Sequence, residues 1–593
     1  MNVQCAKWLA GLLLAAALPG QVKFFPIQEL RPGMRGTGKT VFSGSKVEEF
    51  QAEILGVLEN VGPKQSLILA KFSGGPLERT GVLQGMSGSP VYVGGRLLGA
   101  VAMSFPFSRE AIGAIRPIDE MLRAAEANFE PARRARVSLW EQDLTQPFAR
   151  TEEVMAGGSR LADIATPISF GGFTRNTIEH FAPQLRALGL EPRQGISGGG
   201  RPGPGLGNPS ALVPGAMISV LLLSGDMSIG ADGTVTHVDG RRIYAFGHRF
   251  LSIGTTELPF ARADVLTLLP NLASSFKISA PREWMGTITQ DRNTTVAGEL
   301  GKRASLVPVS ISVTRRSGGS RPEQRSSYRM EMVNDSFLSP FLVQMVVFSA
   351  IDATERTVGS SSLAVRGTIE FKNAATPVRL SNMYAGQFSL PLQASLGAAI
   401  PLAYALQSGF DELELKNVAL EIESYDVRKQ MQIDQVWASR GEVKPGEEIE
   451  LTVVLAGDNG EESTHKVTYR TPVGAPAGPL YFTVADGNTT NLAEYRQFAG
   501  MNPKSPAQLV EFLNSLRSNT KAYVRVWRPE ASYNVQGQDF AAPPPSIGQI
   551  LARAQAGLGG ASLSNNSKIA ELEIGSAEAV ISGARTVKVE VKE

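Results

Sequence analysis

The hexapeptide Gly85-Met86-Ser87-Gly88-Ser89-Pro90 surrounds a serine with small residues. Such a run permits a sharp backbone turn that exposes a hydroxyl and aims neighbouring N–H groups at one point. Acyl transfer needs that pairing: a nucleophilic oxygen beside preorganised donors for the oxyanion that forms when it attacks a carbonyl. Ser87 and Ser89 compete for the role, and an ordinary Gly/Ser hairpin loop is the plainer reading of the same residues. A serine nucleophile requires a base, and the chain has four histidines. His180, in an expected helix over 176–188, and His465 read as solvated surface residues, and His237, in a Thr-Val-Thr-His-Val alternation, reads as an exposed strand residue. His248 follows Tyr244-Ala245-Phe246-Gly247 at the end of an expected hairpin, where a strand hands a side chain to a cleft. It is the candidate general base, against a purely structural role beside apolar neighbours. Four scattered histidines do not make a zinc set, which gathers three or four ligands, and no metal is expected.

A second motif is literal but lacks its context. Gly33-Met34-Arg35-Gly36-Thr37-Gly38-Lys39-Thr40 satisfies the phosphate-loop pattern, yet Pro32 precedes it and Val41-Phe42-Ser43-Gly44-Ser45 follows. A phosphate loop must leave a buried strand and enter a helix whose N-terminal N–H groups hold the phosphates. These residues read as a glycine-rich β-turn, and no nucleotide or other cofactor is expected.

The elements that must position these residues are mainly β. With 61 Gly and 36 Pro in 593 residues, turns and short strands are favoured over long helices, and the length suggests about four domains. Lys plus Arg number 58 against 56 for Asp plus Glu, so no bulk field draws a polyanion and nucleic acid is not an expected partner. The apolar run 8–18 after Lys7 is short for a membrane span and reads as the core of a secretory signal over 1–20, whose cleavage removes Cys5, the single cysteine, and leaves no spanning segment. The expected location is therefore outside the cytoplasm, periplasmic or extracellular in the cell envelope.

Residues 21–135 form a serine-bearing lobe, in which 91–93 and 96–102 make a hairpin across Gly94-Gly95 and 118–127 a short helix. Residues 136–212 read as linker and long loops, being polar and aperiodic to 165 and rich in glycine and proline over 192–209. Residues 213–315 form a histidine-bearing lobe, with a strand over 217–223 and a hairpin across Asp239-Gly240. A β-rich region over 316–415, an immunoglobulin-like sandwich over 416–487 and a small α/β tail over 488–593 follow.

A strand and hairpin after a Gly-x-Ser-Gly-x-Pro turn resembles the nucleophile segment of chymotrypsin-like peptidases. That analogy implies Ser87 as nucleophile, in preference to Ser89, with the N–H groups of Gly85 and Ser87 as the oxyanion hole. Two stretches resemble more narrowly the sporulation stage IV B family, family 55 of the serine peptidases: Gly85 to Pro90 with its hairpin, and Tyr244 to His248. The resemblance implies a serine endopeptidase with a chymotrypsin-like two-lobed β-barrel core, Ser87 as nucleophile and His248 as general base. Here the serine motif precedes the histidine motif, the reverse of the sporulation enzymes, and Ser73-Gly74-Gly75 stands where they carry an aspartate. Triads are defined by geometry, so a permuted order is acceptable. The third member is open among Asp226, Asp232 and Asp239, with Asp226 first. Arg249 is expected to lower the pKa of His248 or to bind a substrate carboxylate. The expected function is an exported serine endopeptidase acting on protein or peptide, with C-terminal β-domains that engage an envelope partner. The alternative is a non-catalytic envelope scaffold that keeps the fold.

Overall fold

The computed structural model describes residues 23–593 apart from 109, 127–137, 139–140, 147, 149–152, 157–158, 196–201, 204, 272–273, 317–322, 355–359, 388, 459, 499–504, 536–537, 542, 556–560 and 576–577. The expected signal and Cys5 lie outside the described residues. The phosphate-loop look-alike forms a turn and then strand β1 (Arg35–Ser43), with no helix after it. Its Gly38 is required by packing, since a Cβ there would lie 2.1 Å from the Phe50 ring.

Strands β2 (Lys46–Gly62) and β3 (Gln65–Ser73), helix α1 (Leu77–Thr80), strands β4 (Pro90–Val93), β5 (Arg96–Ser104) and β6 (Ile112–Pro117), and helix α2 (Ile118–Glu126) complete the first lobe. The strands pair in the order β1-β2-β3-β6-β5-β4, and β4 returns to β1, so six strands close into a barrel without free edges. Its centre holds Phe50 and Phe72, edge to face at 5.7 Å, with Ile54, Ile68, Val91, Val101 and Ile115. The β4–β5 turn is Gly94-Gly95, both with positive φ, as a tight hairpin demands.

Part of the stretch expected to be aperiodic is ordered. Strands β7 (Glu153–Ala156) and β8 (Ser159–Asp163) extend the first sheet, with Asp163 pairing with Met103 of β5. Strand β9 (Thr166–Gly171), helix α3 (Arg175–Ala187) and strand β10 (Leu190–Gln194) form a βαβ unit on the second lobe. That lobe follows as β11 (Met217–Gly225), β12 (Ser228–Asp239), β13 (Arg242–Ala245), β14 (Gly254–Leu269), β15 (Phe276–Arg292) and β16 (Thr295–Leu300). Pairing in the order β12-β13-β16-β15-β14-β11, with β11 back on β12, closes a second six-stranded barrel. Asp239 pairs with Arg242, so the hairpin turn is Gly240-Arg241, one residue later than expected. The two-barrel core is thus the chymotrypsin-like arrangement that the resemblance implied.

The sheet of the second barrel runs on through β17 (Leu306–Arg316) and β18 (Gln324–Val333), helix α4 (Leu338–Asp352), β19 (Ser361–Phe371), β20 (Val378–Gly386), helix α5 (Leu390–Leu406) and β21 (Leu415–Tyr425). Residues 316–415, read as β-like, therefore hold two helices packed on each other. Every residue of α4 from Leu338 to Ile351 is buried, so it has no polar face and no 3.6-residue signal. Asp335 caps it, its Oδ1 accepting from Phe337 N at 2.9 Å and Leu338 N at 3.0 Å.

The sandwich also differs from its expected limits. One sheet pairs β22 (Gln430–Ala438) with later strands, and the other combines β23 (Glu442–Val443) with strands from the end of the chain. In chain order these are β24 (Glu448–Gly457), β25 (Glu462–Arg470), β26 (Gly478–Asp486), β27 (Ala522–Arg528), then, after the small sheet of β28 (Ser532–Val535), β29 (Gln538–Ala541) and β30 (Ala561–Ser564), β31 (Ser567–Ile574), β32 (Val580–Ser582) and β33 (Ala584–Val591). The sheet orders are β25-β24-β22-β32 and β23-β33-β26-β27-β31, so the tail supplies four of these nine strands.

Candidate functional site

The serine turn is shaped by Gly85 and Gly88, with φ of +88° and +91°. Gly88 also has no room for a side chain, because a Cβ would lie 2.0 Å from Thr234 O and 2.5 Å from Phe246 N. Those two neighbours belong to the second barrel, which holds the turn directly. Thr234 N donates to Ser87 O at 2.9 Å, Thr234 Oγ1 to Gly85 O at 2.9 Å, and Thr236 Oγ1 to Gly88 O at 2.7 Å. From β15, Lys277 N donates to Gln84 O at 3.2 Å, while Gln84 N donates to Ser275 O at 2.9 Å.

The two expected oxyanion donors are left open by this clamp. The peptide plane that carries Gly85 N–H is fixed through Gln84 O, which accepts from Lys277 N, and the plane of Ser87 N–H through Met86 O, which accepts from Ser89 N at 2.9 Å. In a trans peptide the N–H points away from its carbonyl. Gly85 N and Ser87 N donate no hydrogen bond among the described residues, although both residues are buried. Unpaired buried N–H groups cost on the order of 1–3 kcal/mol each and are rare in folded proteins. Ser87 itself is fully buried, and its Oγ has no partner among the described residues. Ser89, the competing serine, is engaged: its Oγ donates to Thr40 Oγ1 at 3.0 Å, an oxygen that also accepts from Lys277 Nζ at 2.7 Å.

His248 sits on a loop held in an unusual conformation. Phe246 and Gly247 both have φ of +69°, and for a bulky, wholly buried phenylalanine that is a strained backbone over-determined by its surroundings. Gly247 packs against β5, where a Cβ would meet Ala100 Cβ at 2.9 Å. Beyond the histidine, the buried carboxylate of Asp291 accepts from Phe250 N at 2.8 Å, Leu251 N at 2.7 Å and Ile253 N at 3.2 Å. His248 Nδ1 lies 2.6 Å from Arg249 O. Donation to that carbonyl puts the proton on Nδ1 and leaves Nε2, which has no partner among the described residues, as a bare acceptor. Ser87 Oγ and Nε2 are not hydrogen-bonded to each other.

Burial is the main cause that holds the pKa of His248 below the ordinary histidine value. The charge of Asp163 and the bond to Arg249 O oppose it, while Arg116 and Arg249 add to it. Arg249 thus acts in the expected direction, as a minor contributor. The carboxylate whose charge acts on His248 is Asp163 at the end of β8, which the sequence does not mark because the polar stretch around it carries no periodicity. Asp226, the first choice, is exposed at the β11–β12 turn, where its Oδ2 accepts from Arg329 N at 2.7 Å, and it does not touch His248. Asp239 is exposed at the end of β12. Asp232 is buried, accepts from Ser279 Oγ at 2.6 Å, and is pushed up to about 6, chiefly by burial. Of the other histidines, His180 is exposed with its ring stacked on Phe348, and His465 is half-buried beside Ser463. His237, expected to be exposed, is buried between Tyr244 and Phe24.

Residues 27–122 match the family model of the SpoIVB peptidase S55. The match runs from the turn before β1 into α2, so it contains Ser87 and the whole first barrel, and it stops short of His248. It bears out the resemblance read from the serine motif, and it gives this segment the character of a serine peptidase. No curated protein and no solved structure matches the chain.

Proposed function

We propose that the protein is an exported serine endopeptidase in which Ser87 is the nucleophile, His248 the general base, oriented through its Nδ1 by Arg249 O, and Asp163 the carboxylate whose charge stabilises the imidazolium. Four unpaired polar groups carry this reading: Ser87 Oγ, His248 Nε2 and the N–H groups of Gly85 and Ser87. They are the groups that an acylating peptide would occupy. The Ser87 hydroxyl proton passes to His248 Nε2 as Oγ bonds to the peptide carbonyl carbon, and the carbonyl oxygen takes the two N–H donors. The C–N bond then breaks, the proton moves from Nε2 to the departing amine, and water releases the acyl group by the same base in a second round. Export rests on the apolar run 8–18, and the β-sandwich is the surface offered to an envelope partner. Ser87 is 0% exposed, so turnover requires the surface over the serine turn to open for a peptide while the donors from the second barrel keep hold of the turn.

That burial is also what favours the second reading, a scaffold that keeps the fold without activity. A fluorophosphonate probe separates the two. The protein is expected to label at Ser87, with labelling lost in Ser87→Ala and at least 100-fold slower in His248→Ala. Labelling that survives in Ser87→Ala removes the nucleophile, and a folded protein that neither labels nor cleaves casein is the scaffold.

A further inference from the structure

A cavity of about 290 Å³ opens beside the serine turn, between β9, β10, β11, β12 and β15. Its position follows from strand register. On β11 and β12 the pairs Met217–Thr234, Ser219–Asp232 and Leu221–Gly230 stand in successive rungs on one face. Thr234 holds Ser87 O and Gly85 O, whereas Ser219, Asp232, Leu221 and Gly230 line the cavity. Two residues along a strand span about 6.6 Å, so the cavity starts one rung from the serine turn. Lys277, another lining residue, packs against Gly85, where a Cβ would lie 3.5 Å from its Cδ.

We infer that this cavity seats the side chain of the substrate residue whose carbonyl Ser87 attacks, and that it selects an uncharged side chain with a hydrogen-bonding tip, glutamine above all. The inference rests on the peptidase reading. A carbonyl oxygen held by Gly85 N–H brings the Cα of its own residue next to the wall that Gly85 shares with Lys277. The size is just below the ~300–1,000 Å³ of small-molecule pockets, which suits one side chain. Its charges are opposed: Asp232 lies on one wall, the Lys277 side chain and the Arg193 guanidinium on others, the latter stacked 3.9 Å over the Phe276 ring. Asp232 and Lys277 already answer each other across the cavity, so a charged guest of either sign has to displace that pairing, and a cation also meets Arg193. A neutral guest avoids both. Ser224 also lines the cavity, is 3% exposed, and its Oγ has no partner among the described residues, which provides a built hydrogen-bonding site for an amide.

The test uses aminoalkylphosphonate diphenyl esters that differ only in carrying the side chain of glutamine, glutamate, arginine or alanine, beside the plain fluorophosphonate. Wild-type protein is expected to react with the glutamine probe at least 10-fold faster than with each of the others. Ser169→Phe, which fills the cavity from the β9 rim opposite Gly230, is expected to lower the glutamine-to-alanine rate ratio at least 10-fold, and Leu221→Trp to do the same from the other wall. The ratio within one variant is independent of how much of it is folded. Fluorophosphonate labelling of Ser87 with no side-chain preference, with a charged probe fastest, or with ratios unmoved in both variants overturns the inference and leaves the peptidase reading standing. Failure of every probe, fluorophosphonate included, overturns both.

Discussion

Substitution of Gly88 by alanine tests whether the second barrel sets the serine turn. The new Cβ lies 2.0 Å from Thr234 O and 2.5 Å from Phe246 N, and both are backbone atoms with no rotamer to yield. The φ of +91° adds about 1–2 kcal/mol for a residue with a side chain. Relief of the clash requires the turn to leave β12, which breaks the bonds from Thr234 N to Ser87 O and from Thr236 Oγ1 to Gly88 O, worth about 1 kcal/mol each. The total is about 3–4 kcal/mol, local to the junction of the barrels. Gly95→Ala is the control, since it shares the positive φ, +76°, but has nothing within 4 Å of the added Cβ and should cost only the backbone part. Hydrogen exchange at the Thr234 amide reads the difference. At about 1.4 kcal/mol per factor of ten, Gly88→Ala should speed it roughly 10²- to 10³-fold and Gly95→Ala hardly at all. Fluorophosphonate labelling should fall in parallel. Equal exchange at Thr234 in the two variants would refute the clamp.

Three further outcomes are expected. Asp163→Asn removes a charge that raises the pKa of His248, so the acid limb of kcat/KM should move to lower pH while the plateau falls roughly 10²- to 10⁴-fold; an unmoved limb and plateau exclude Asp163 from the site. Asp291→Ala takes the shared acceptor from three backbone N–H groups, at about 1–3 kcal/mol for each one left buried. Exchange at 250–253 should accelerate and Ser87 labelling should slow, whereas rigid amides there would show that the loop stands without it. The ammonium of Lys277 is lowered to about 7 by burial, while the unfolded chain keeps it near 10.5. Between those values the unfolded state binds more protons, so stability should rise as pH goes from about 7 towards 10, and the rise should flatten in Lys277→Met. A slope equal in both proteins, measured by urea unfolding of the two-barrel region, removes Lys277 as its source.

The serine motif was legible because its residue types encode a conformation: two glycines at positive φ, a hydroxyl between them, and a hairpin with a two-glycine turn. Phe246-Gly247-His248 was legible for the same reason, although the strain at Phe246 has no mark in its own residue type. Asp163 was not, because it comes to His248 through the pairing of β8 with β5, and a short strand in polar surroundings has no alternation to betray it. Helix α4 failed differently. Its run of Val, Phe, Leu and Met is buried on all sides, and periodicity arises only where one face meets water. The sandwich was half visible, since β24 alternates cleanly, but its second sheet pairs β26 with β33 across about a hundred residues, a distance at which local pattern carries no information.

The carbonyls of Gln84, Gly85, Ser87 and Gly88 are answered by donors from the other barrel, and this sets where the molecule can be divided. Sequence similarity treats 27–122 as a unit, and its barrel does close on itself. A fragment cut at those limits would contain the nucleophile and lack every Thr234, Thr236 and Lys277 donor that orients it. It should fold and be inert, and adding residues 153–316 in trans should restore labelling only insofar as the two pieces dock. The serine lies within one module, while its competence belongs to the seam between two.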